Sequence, residues 1–143
     1  MVSEKSLTRP ELVVMSAPRS SLSGLVADFR EQAIMASNAV SKVYLSSDHA
    51  GLELRQALAA HLQAAGLAVE DLGPQTGESV DYPDYGAKLA EAMKNDPDAR
   101  GIAVCGSGIG ISIAVNRFPW VRAALVSDAT AARLCREHND ANV

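Results

Sequence analysis

The decapeptide Gly101–Gly110, GIAVCGSGIG, predicts the fold of this chain. Its first half is an unbroken apolar run of strand length, and its second half repeats glycine in a GxGxG pattern that is typical of a tight turn into a helix. A strand that is buried on both faces and followed at once by a helix is the unit from which parallel sheets are built. The stretch therefore predicts a central strand of an α/β protein.

The same strand and helix unit recurs on both sides of this stretch. Strands are predicted at 43–45, 67–72, 101–105 and 121–126, and helices at 50–65, 82–94, 111–117 and 128–137. This alternation favours right-handed crossovers and a three-layer, doubly wound parallel sheet of the Rossmann-like kind. A fifth strand is expected after Asn139-Asp140, so the predicted α/β sheet is cut short before that strand.

The first 42 residues differ in texture from the rest, being rich in serine with only a short apolar run at Leu12–Met15. A helical spacing of apolar residues over 23–36, with Ser23 as N-cap, predicts one short helix. We expect residues 1–42 to be an extension, weakly structured or with that one helix, attached to a domain at 43–143. A targeting peptide or partner-docking helix is the alternative, and the acidic residues of the segment disfavour a transit peptide.

Size and composition exclude several classes of protein. A chain of 143 residues holds one ordinary core, and 13 basic against 17 acidic residues give a net charge of −4, which disfavours nucleic acid as a partner. No stretch is long and apolar enough for a membrane span, and no secretory signal is recognisable. Two cysteines without metal or disulfide spacing fit a reducing compartment. The sequence therefore predicts a soluble, cytoplasmic protein.

Reactive side chains are predicted to follow the first and third of these strands. Ligands of open parallel sheets bind beyond the carboxyl ends of the strands, which directs attention to Asp48-His49 and to Cys105. A thiol at a strand end beside a turn of backbone donors is placed to act as a base or a nucleophile. The alternative is an inert buried cysteine, which is the expectation for Cys135.

The glycine turn after Cys105 matches neither common phosphate-binding motif. Ile111 stands where a dinucleotide fingerprint needs glycine, and no lysine follows the last glycine as in a Walker A loop. NAD and ATP are therefore disfavoured as cofactors. The turn is interpreted either as a simple strand-to-helix connection or as a nest of backbone N–H groups for an anionic oxygen.

Histidine and tyrosine side chains add candidates for proton transfer and binding. His49 and His138 are predicted to flank the same edge of the sheet, where an imidazole can move protons near neutral pH; an exposed surface role is the alternative. Tyr82 opens the second predicted helix, in a turn that Pro83 explains without any function.

Four motifs together closely resemble the sugar-phosphate isomerase family of ribose-5-phosphate isomerase B, which also contains galactose-6-phosphate isomerase subunits. They are Ser47–Gly51, Glu78–Pro83, Cys105–Ala114 and His138–Asn142, and the match spans Val43–Val143. The resemblance implies interconversion of ribose 5-phosphate and ribulose 5-phosphate through an enediolate, in the pentose phosphate pathway. It also implies that no metal or cofactor takes part and that the enzyme is a homodimer or a dimer of dimers.

The resemblance also implies a role for each candidate residue. Cys105 matches the family's base, which moves a proton between C2 and C1, and His138 matches the residue that opens the furanose ring. Ser107 would hydrogen-bond the thiol or the substrate. The remaining positions would bind substrate: the side chains of Asp48, His49, Tyr82 and Asn139, and the backbone of Gly106, Gly108, Ile109 and Gly110.

Two departures from the family modify these expectations. The extension 1–42 is one; the other is that the family continues past the equivalent of Asn142 with a strand and a helix that carry phosphate-binding arginines. We therefore expect a weakened phosphate site, impaired dimerisation, an exposed edge beside the fourth predicted strand, and marginal stability. Three alternatives stay open: a hexose 6-phosphate (galactose or allose) isomerase subunit, a catalytically silent relic that binds sugar phosphate, and a thiol hydrolase using Cys105 and His138.

Overall fold

A computed structural model describes residues 40–143 with their side chains and residues 14–16 by their backbone. The five strands described form one parallel sheet in the order β3-β2-β4-β1-β5. This confirms the predicted α/β class and its parallel sheet. In chain order the elements are β1 (Val14–Ser16), β2 (Val43–Ser47), a 3-10 turn (His49–Gly51), α1 (Leu52–Ala64), β3 (Val69–Asp71), α2 (Tyr82–Met93), β4 (Arg100–Cys105), α3 (Ile109–Val115), β5 (Leu125–Val126) and α4 (Ala129–Asn139).

Helices cover both faces of the sheet, as the three-layer prediction requires. Alternate residues of the strands point to opposite faces. Leu45 and Ile102 pack in one core with α1 and α4, whereas Tyr44 and Ala103 pack in the other core with α2 and α3. None of the helices in the described part of the chain is long and apolar enough to cross a membrane.

Strand β5 is shorter than predicted, and asparagine side chains bind the backbone just before it. The prediction covered 121–126, but only Leu125–Val126 is a strand. The Arg122 N–H donates to Asn142 Oδ1 at 2.7 Å, and the Ala123 N–H donates to Asn116 Oδ1 at 2.9 Å. Two backbone donors that precede the strand are therefore satisfied by the side-chain oxygens of asparagines.

Strand β1 is the one element in the sheet that the sequence analysis missed. It comes from the segment interpreted as an extension, and it lies between β4 and β5 rather than on an outer edge. β1 therefore pairs with the side of β5 that faces β4, while β5 is the outer strand of the sheet described, so the fourth predicted strand keeps one open edge, as expected. The helix predicted over 23–36 lies outside the described residues, and the division at residue 42 stays a prediction.

A buried arginine joins the ends of two strands to the loop that follows them. Arg55 of α1 is fully buried, and its Nη1 donates to Ser47 Oγ at 2.7 Å. Its Nη2 donates to the Pro74 carbonyl at 2.7 Å, and its Nε lies 2.8 Å from Asp71 Oδ1. A Cβ on Gly73 would lie 1.8 Å from Nη1, so the glycine makes room for the guanidinium. Arg55 thus fixes the start of the loop that leads to Tyr82.

Replacing Arg55 by methionine is expected to lower the free energy of unfolding by about 2–4 kcal/mol, because three partners of a buried guanidinium lose their donor. Urea unfolding measures the change. Lys42→Met is the matched control, since Lys42 also pairs with a carboxylate, that of Glu70 at 2.8 Å, but on the surface. The control should lose much less. Equal losses of unfolding free energy in the two variants would contradict a stabilising role for the buried contacts of Arg55.

Candidate active site

The loops after β2 and β4 meet at the carboxyl edge of the sheet. Ser47 is aligned with Val104, and the Asp48 N–H then donates to the Val104 carbonyl at 3.1 Å. Gly51 packs against β4 so closely that a Cβ there would lie 2.8 Å from Val104 Cγ1. On the Cys105 side, a Cβ on Gly106 would lie 3.8 Å from Ala50 Cβ. The two predicted loops therefore form one site, as their positions after parallel strands indicated.

The Cys105 thiol lies at the end of β4 and is held by the turn that follows it. Its side chain is almost buried, with 4% of the residue exposed, and the Gly108 N–H donates to Sγ at 3.1 Å. Gly108 has φ of +76°, a left-handed conformation that favours glycine. The Ile109 N–H donates to Ser107 Oγ at 3.3 Å. Two donors of the predicted nest thus already bind a sulfur and a hydroxyl, and a substrate oxygen would have to take them over.

Asp48 and His49 are fixed by backbone groups on either side of the site. Asp48 is buried, and its Oδ1 accepts the Gly51 N–H at 3.1 Å, which caps the 3-10 turn. His49 is exposed, and its Nδ1 accepts the Val80 N–H at 3.2 Å. The Val80 carbonyl also lies 3.2 Å from Nδ1, so the tautomer of the ring sets whether Nδ1 bonds to the Val80 N–H or to the carbonyl.

Tyr82 completes the group of side chains around the turn. Its ring packs on Gly110, where a Cβ would lie only 2.6 Å from Cζ of the ring. Tyr82 is 40% exposed, so one side of the ring remains open. The structure thus brings together the side chains of Asp48, His49, Tyr82, Cys105 and Ser107 and the backbone of Gly106, Gly108, Ile109 and Gly110.

His138 and Asn139 lie elsewhere, at the opposite edge of the sheet. Helix α4 starts after β5 at the carboxyl edge and runs back, and its end is tied to the Arg122 Nε, which donates to the Asp140 carbonyl at 2.7 Å. Two residues later, the Asn142 carbonyl accepts the N–H of Gly101, at the start of β4. Along β4, Gly101 and Cys105 are about 13 Å apart. The prediction that His49 and His138 flank the same edge is therefore wrong, because a helix that returns across a parallel sheet ends at the far edge.

Two further residues are Cys135, which lies away from the site, and Val80, whose backbone belongs to it. Cys135 is buried in α4 with its Sγ donating to the Ala132 carbonyl at 3.0 Å, away from the loops, as expected of a structural cysteine. The backbone of Val80, which positions His49, was missed, since a main-chain contact leaves no side-chain signal. Among the described residues, no group of His, Cys, Asp and Glu side chains could hold a metal ion.

Comparison with known proteins identifies the family of the chain. The family model described as Ribose/Galactose Isomerase matches residues 43–143. A probable ribose-5-phosphate isomerase B of Mycoplasma pneumoniae is 45% identical over 102 residues, which are 71% of this chain and 67% of the relative. A structure of Clostridium thermocellum ribose-5-phosphate isomerase B is 50% identical with a TM-score of 0.69, over 71% of this chain and 68% of that one.

The structure of a third relative contains a ligand. The ribose-5-phosphate isomerase B of Mycoplasma genitalium, with bound ribulose-5-phosphate, is 38% identical with a TM-score of 0.69, over 71% of this chain and 68% of that one. The chain therefore belongs to the ribose/galactose isomerase family, which confirms the resemblance seen in its four motifs.

Substituting alanine for Gly51 is expected to lower the free energy of unfolding by about 1–3 kcal/mol, because the new methyl group overpacks the contact between the first loop and Val104. Urea unfolding measures this. Gly77→Ala is the matched control: no atom lies within 4 Å of a Cβ there, so its stability should be unchanged or slightly raised. If the two variants were equally stable, the close contact between the loops would be refuted.

Proposed function

We propose that this chain interconverts ribose 5-phosphate and ribulose 5-phosphate by proton transfer through an enediolate, with Cys105 as the base. The observation that carries the proposal is the Cys105 thiol, whose Sγ accepts the Gly108 N–H at 3.1 Å. The side chains of Asp48, His49 and Tyr82 lie beside it at the carboxyl edge of the sheet, and we call this group with Cys105 and Ser107 the mouth of the site. Membership of the ribose/galactose isomerase family supports the same reaction, as does the ribulose-5-phosphate bound to the Mycoplasma genitalium relative.

The reaction needs one base that serves two neighbouring carbons. The Cys105 thiolate removes the proton from C2 of the open-chain aldose, and the electron pair forms the C1–C2 double bond of the enediolate. The hydroxyl proton passes from the C2 oxygen to the C1 oxygen, and the thiol then returns its proton to C1, which gives the ketose. No electrons leave the substrate. The Gly108 N–H stabilises the negative charge on sulfur in the thiolate, before it takes the proton from C2.

The other side chains of the mouth have chemistry suited to a sugar phosphate. The Asp48 carboxylate is an acceptor for substrate hydroxyls, and the exposed His49 imidazole is a hydrogen-bonding group suited to phosphate. Tyr82 and Ser107 add hydroxyl groups that both donate and accept. The Ser107 hydroxyl, which already accepts the Ile109 N–H, keeps its own proton for the thiol or the substrate.

We further propose that two copies of the chain share each site. His138 and Asn139 of one chain lie at the edge opposite to its own Cys105, so they can serve ring opening and hydroxyl binding only at the Cys105 of a second copy. Helix α3, which begins beside Cys105, supports such a neighbour, because Ile109 and Ile113 on it are 54% and 62% exposed. A homodimer would cover these isoleucines.

The alternatives predict different behaviour. A hexose 6-phosphate isomerase subunit would turn over galactose or allose 6-phosphate instead, and a silent relic would be stabilised by sugar phosphate without turnover. A thiol hydrolase built on Cys105 and His138 of one chain is disfavoured, because those residues lie at opposite edges.

We place the enzyme in the cytoplasm, where a thiol such as Cys105, which forms no disulfide, stays reduced.

Replacing Cys105 by alanine is expected to lower the isomerisation rate by about 10²–10⁴-fold, the usual contribution of a general base. The measurement is NMR of ribose 5-phosphate in deuterated water, following ribulose 5-phosphate and deuterium at the exchanging carbons. Cys135→Ala is the matched control, since it also removes a buried thiol, and it should keep wild-type turnover.

Galactose 6-phosphate and allose 6-phosphate are assayed beside the pentose. Faster turnover of a hexose would replace the proposed substrate. A folded wild-type chain that raises its melting temperature with ribose 5-phosphate but exchanges no deuterium would establish the relic instead.

Mixing Cys105→Ala with His138→Ala is expected to restore activity that neither variant has alone. After equal amounts exchange subunits, half of the dimers are mixed and each has one intact site, so the mixture should reach about a quarter of wild-type activity. Steady-state turnover before and after subunit exchange measures it. No recovery, despite mixed dimers detected by mass spectrometry, would show that His138 does not serve the partner's site.

A further inference from the structure

The position between β4 and β5 is filled by two segments from opposite ends of the sequence. At its start, the Gly101 N–H donates to the Asn142 carbonyl at 2.9 Å, and the Ala124 N–H donates to the Val143 carbonyl at 3.0 Å. Val143 is fully buried there. Further along, the same position is occupied by β1, which pairs in parallel with both neighbours.

The two segments follow one another end to end. Val143 bonds to Ala124, and Val14 is aligned with Leu125, the next residue of the chain. Both segments advance from the Gly101 end of β4 towards its Cys105 end, where Ser16 is aligned with Cys105. One strand position is therefore shared, in a single direction, by residues 142–143 and then by residues 14–16.

We infer that the gap between β4 and β5 is a strand-binding slot for an extended segment parallel to β4, and that residues 14–16 occupy it as an exchangeable ligand from the same chain. Recognition uses backbone groups of two strands, so it places few demands on the ligand's sequence. Because β1 belongs to the same chain as the slot, its binding is intramolecular, with an effective concentration in about the millimolar range. An extended segment joined directly to Val143 would enter the slot with a shorter link and displace β1.

The slot is a property of the sheet and is independent of the proposed reaction. Its occupant nevertheless borders the site, because the Ser16–Cys105 pair is the last of the register. An occupied slot gives the carboxyl end of β4 a neighbour on each side, β2 and β1. An empty slot would leave β4 with an unpaired edge at the base's own strand end.

Hydrogen exchange of the unmodified full chain tests the occupancy. Amides of Met15 and Ser16 in the middle of a sheet are expected to exchange at least about tenfold more slowly than in a synthetic peptide of residues 11–20. Exchange at the peptide's rate would overturn the inference.

Two extended chains test the competition. Val-Thr-Val-Thr-Val added after Val143 is expected to take the slot, so that residues 14–16 exchange as fast as the free peptide while Leu125 and Val126 stay protected. Gly-Ser-Gly-Ser-Gly, of equal length but with poor strand preference, should leave residues 14–16 protected. Protection of residues 14–16 that survives the Val-Thr extension would show that the segments do not share one slot.

A substitution inside β1 tests the binding in trans. Met15→Pro removes a backbone donor from a central strand, so Leu125 and Val126 should exchange at least about tenfold faster, whereas Met15→Leu should not change them. Adding the peptide of residues 11–20 to the Met15→Pro chain should restore protection. Unchanged exchange in Met15→Pro, or no response to saturating peptide, would contradict a slot that binds strands.

Discussion

The parallel pairing of β2 with β4 is the constraint on which the rest of the molecule depends. Its register sets Ser47 beside Val104, and the Asp48 N–H continues the pairing one step beyond the strand. Because both strands end at the same edge, the loop that carries Asp48 and His49 and the loop that carries Cys105 must leave the sheet side by side. A slip of one residue would turn the side chains of β2 to the opposite faces of the sheet.

The mouth formed there is held by groups that do no chemistry themselves. Arg55 ties the end of β2 to the loop after β3, and Val80 fixes the His49 ring from that same loop. Gly51 and Gly110 allow approaches that a Cβ would block, one against Val104 and the other against the Tyr82 ring. The polar side chains are thus oriented by main-chain and buried contacts, so little ordering remains to be done when a ligand binds.

The same parallel architecture separates Cys105 from His138. A strand carries the chain to the carboxyl edge, and the following helix must carry it back, so residues at the end of α4 lie at the amino edge. In one chain Cys105, at the carboxyl end of β4, and His138, at the carboxyl end of α4, therefore lie at opposite edges of the sheet. Within one chain, the group of side chains around Cys105 therefore has no imidazole from α4 beside it.

Local periodicity and short motifs are enough to predict the alternating strands and helices, the two loops that meet at the carboxyl edge, and the family. Residues 43–143 show these signals at nearly every element. Which segments become neighbours depends on the tertiary structure. The apolar run at Leu12–Met15 predicts neither a partner nor a position for β1, since a strand this short is stabilised by the strands beside it. Likewise, the sequence around Arg55 does not distinguish it from an exposed polar helix residue, and the sequence around His138 suggests a place near Cys105. The direction in which each helix crosses the sheet decides which residues these two side chains contact.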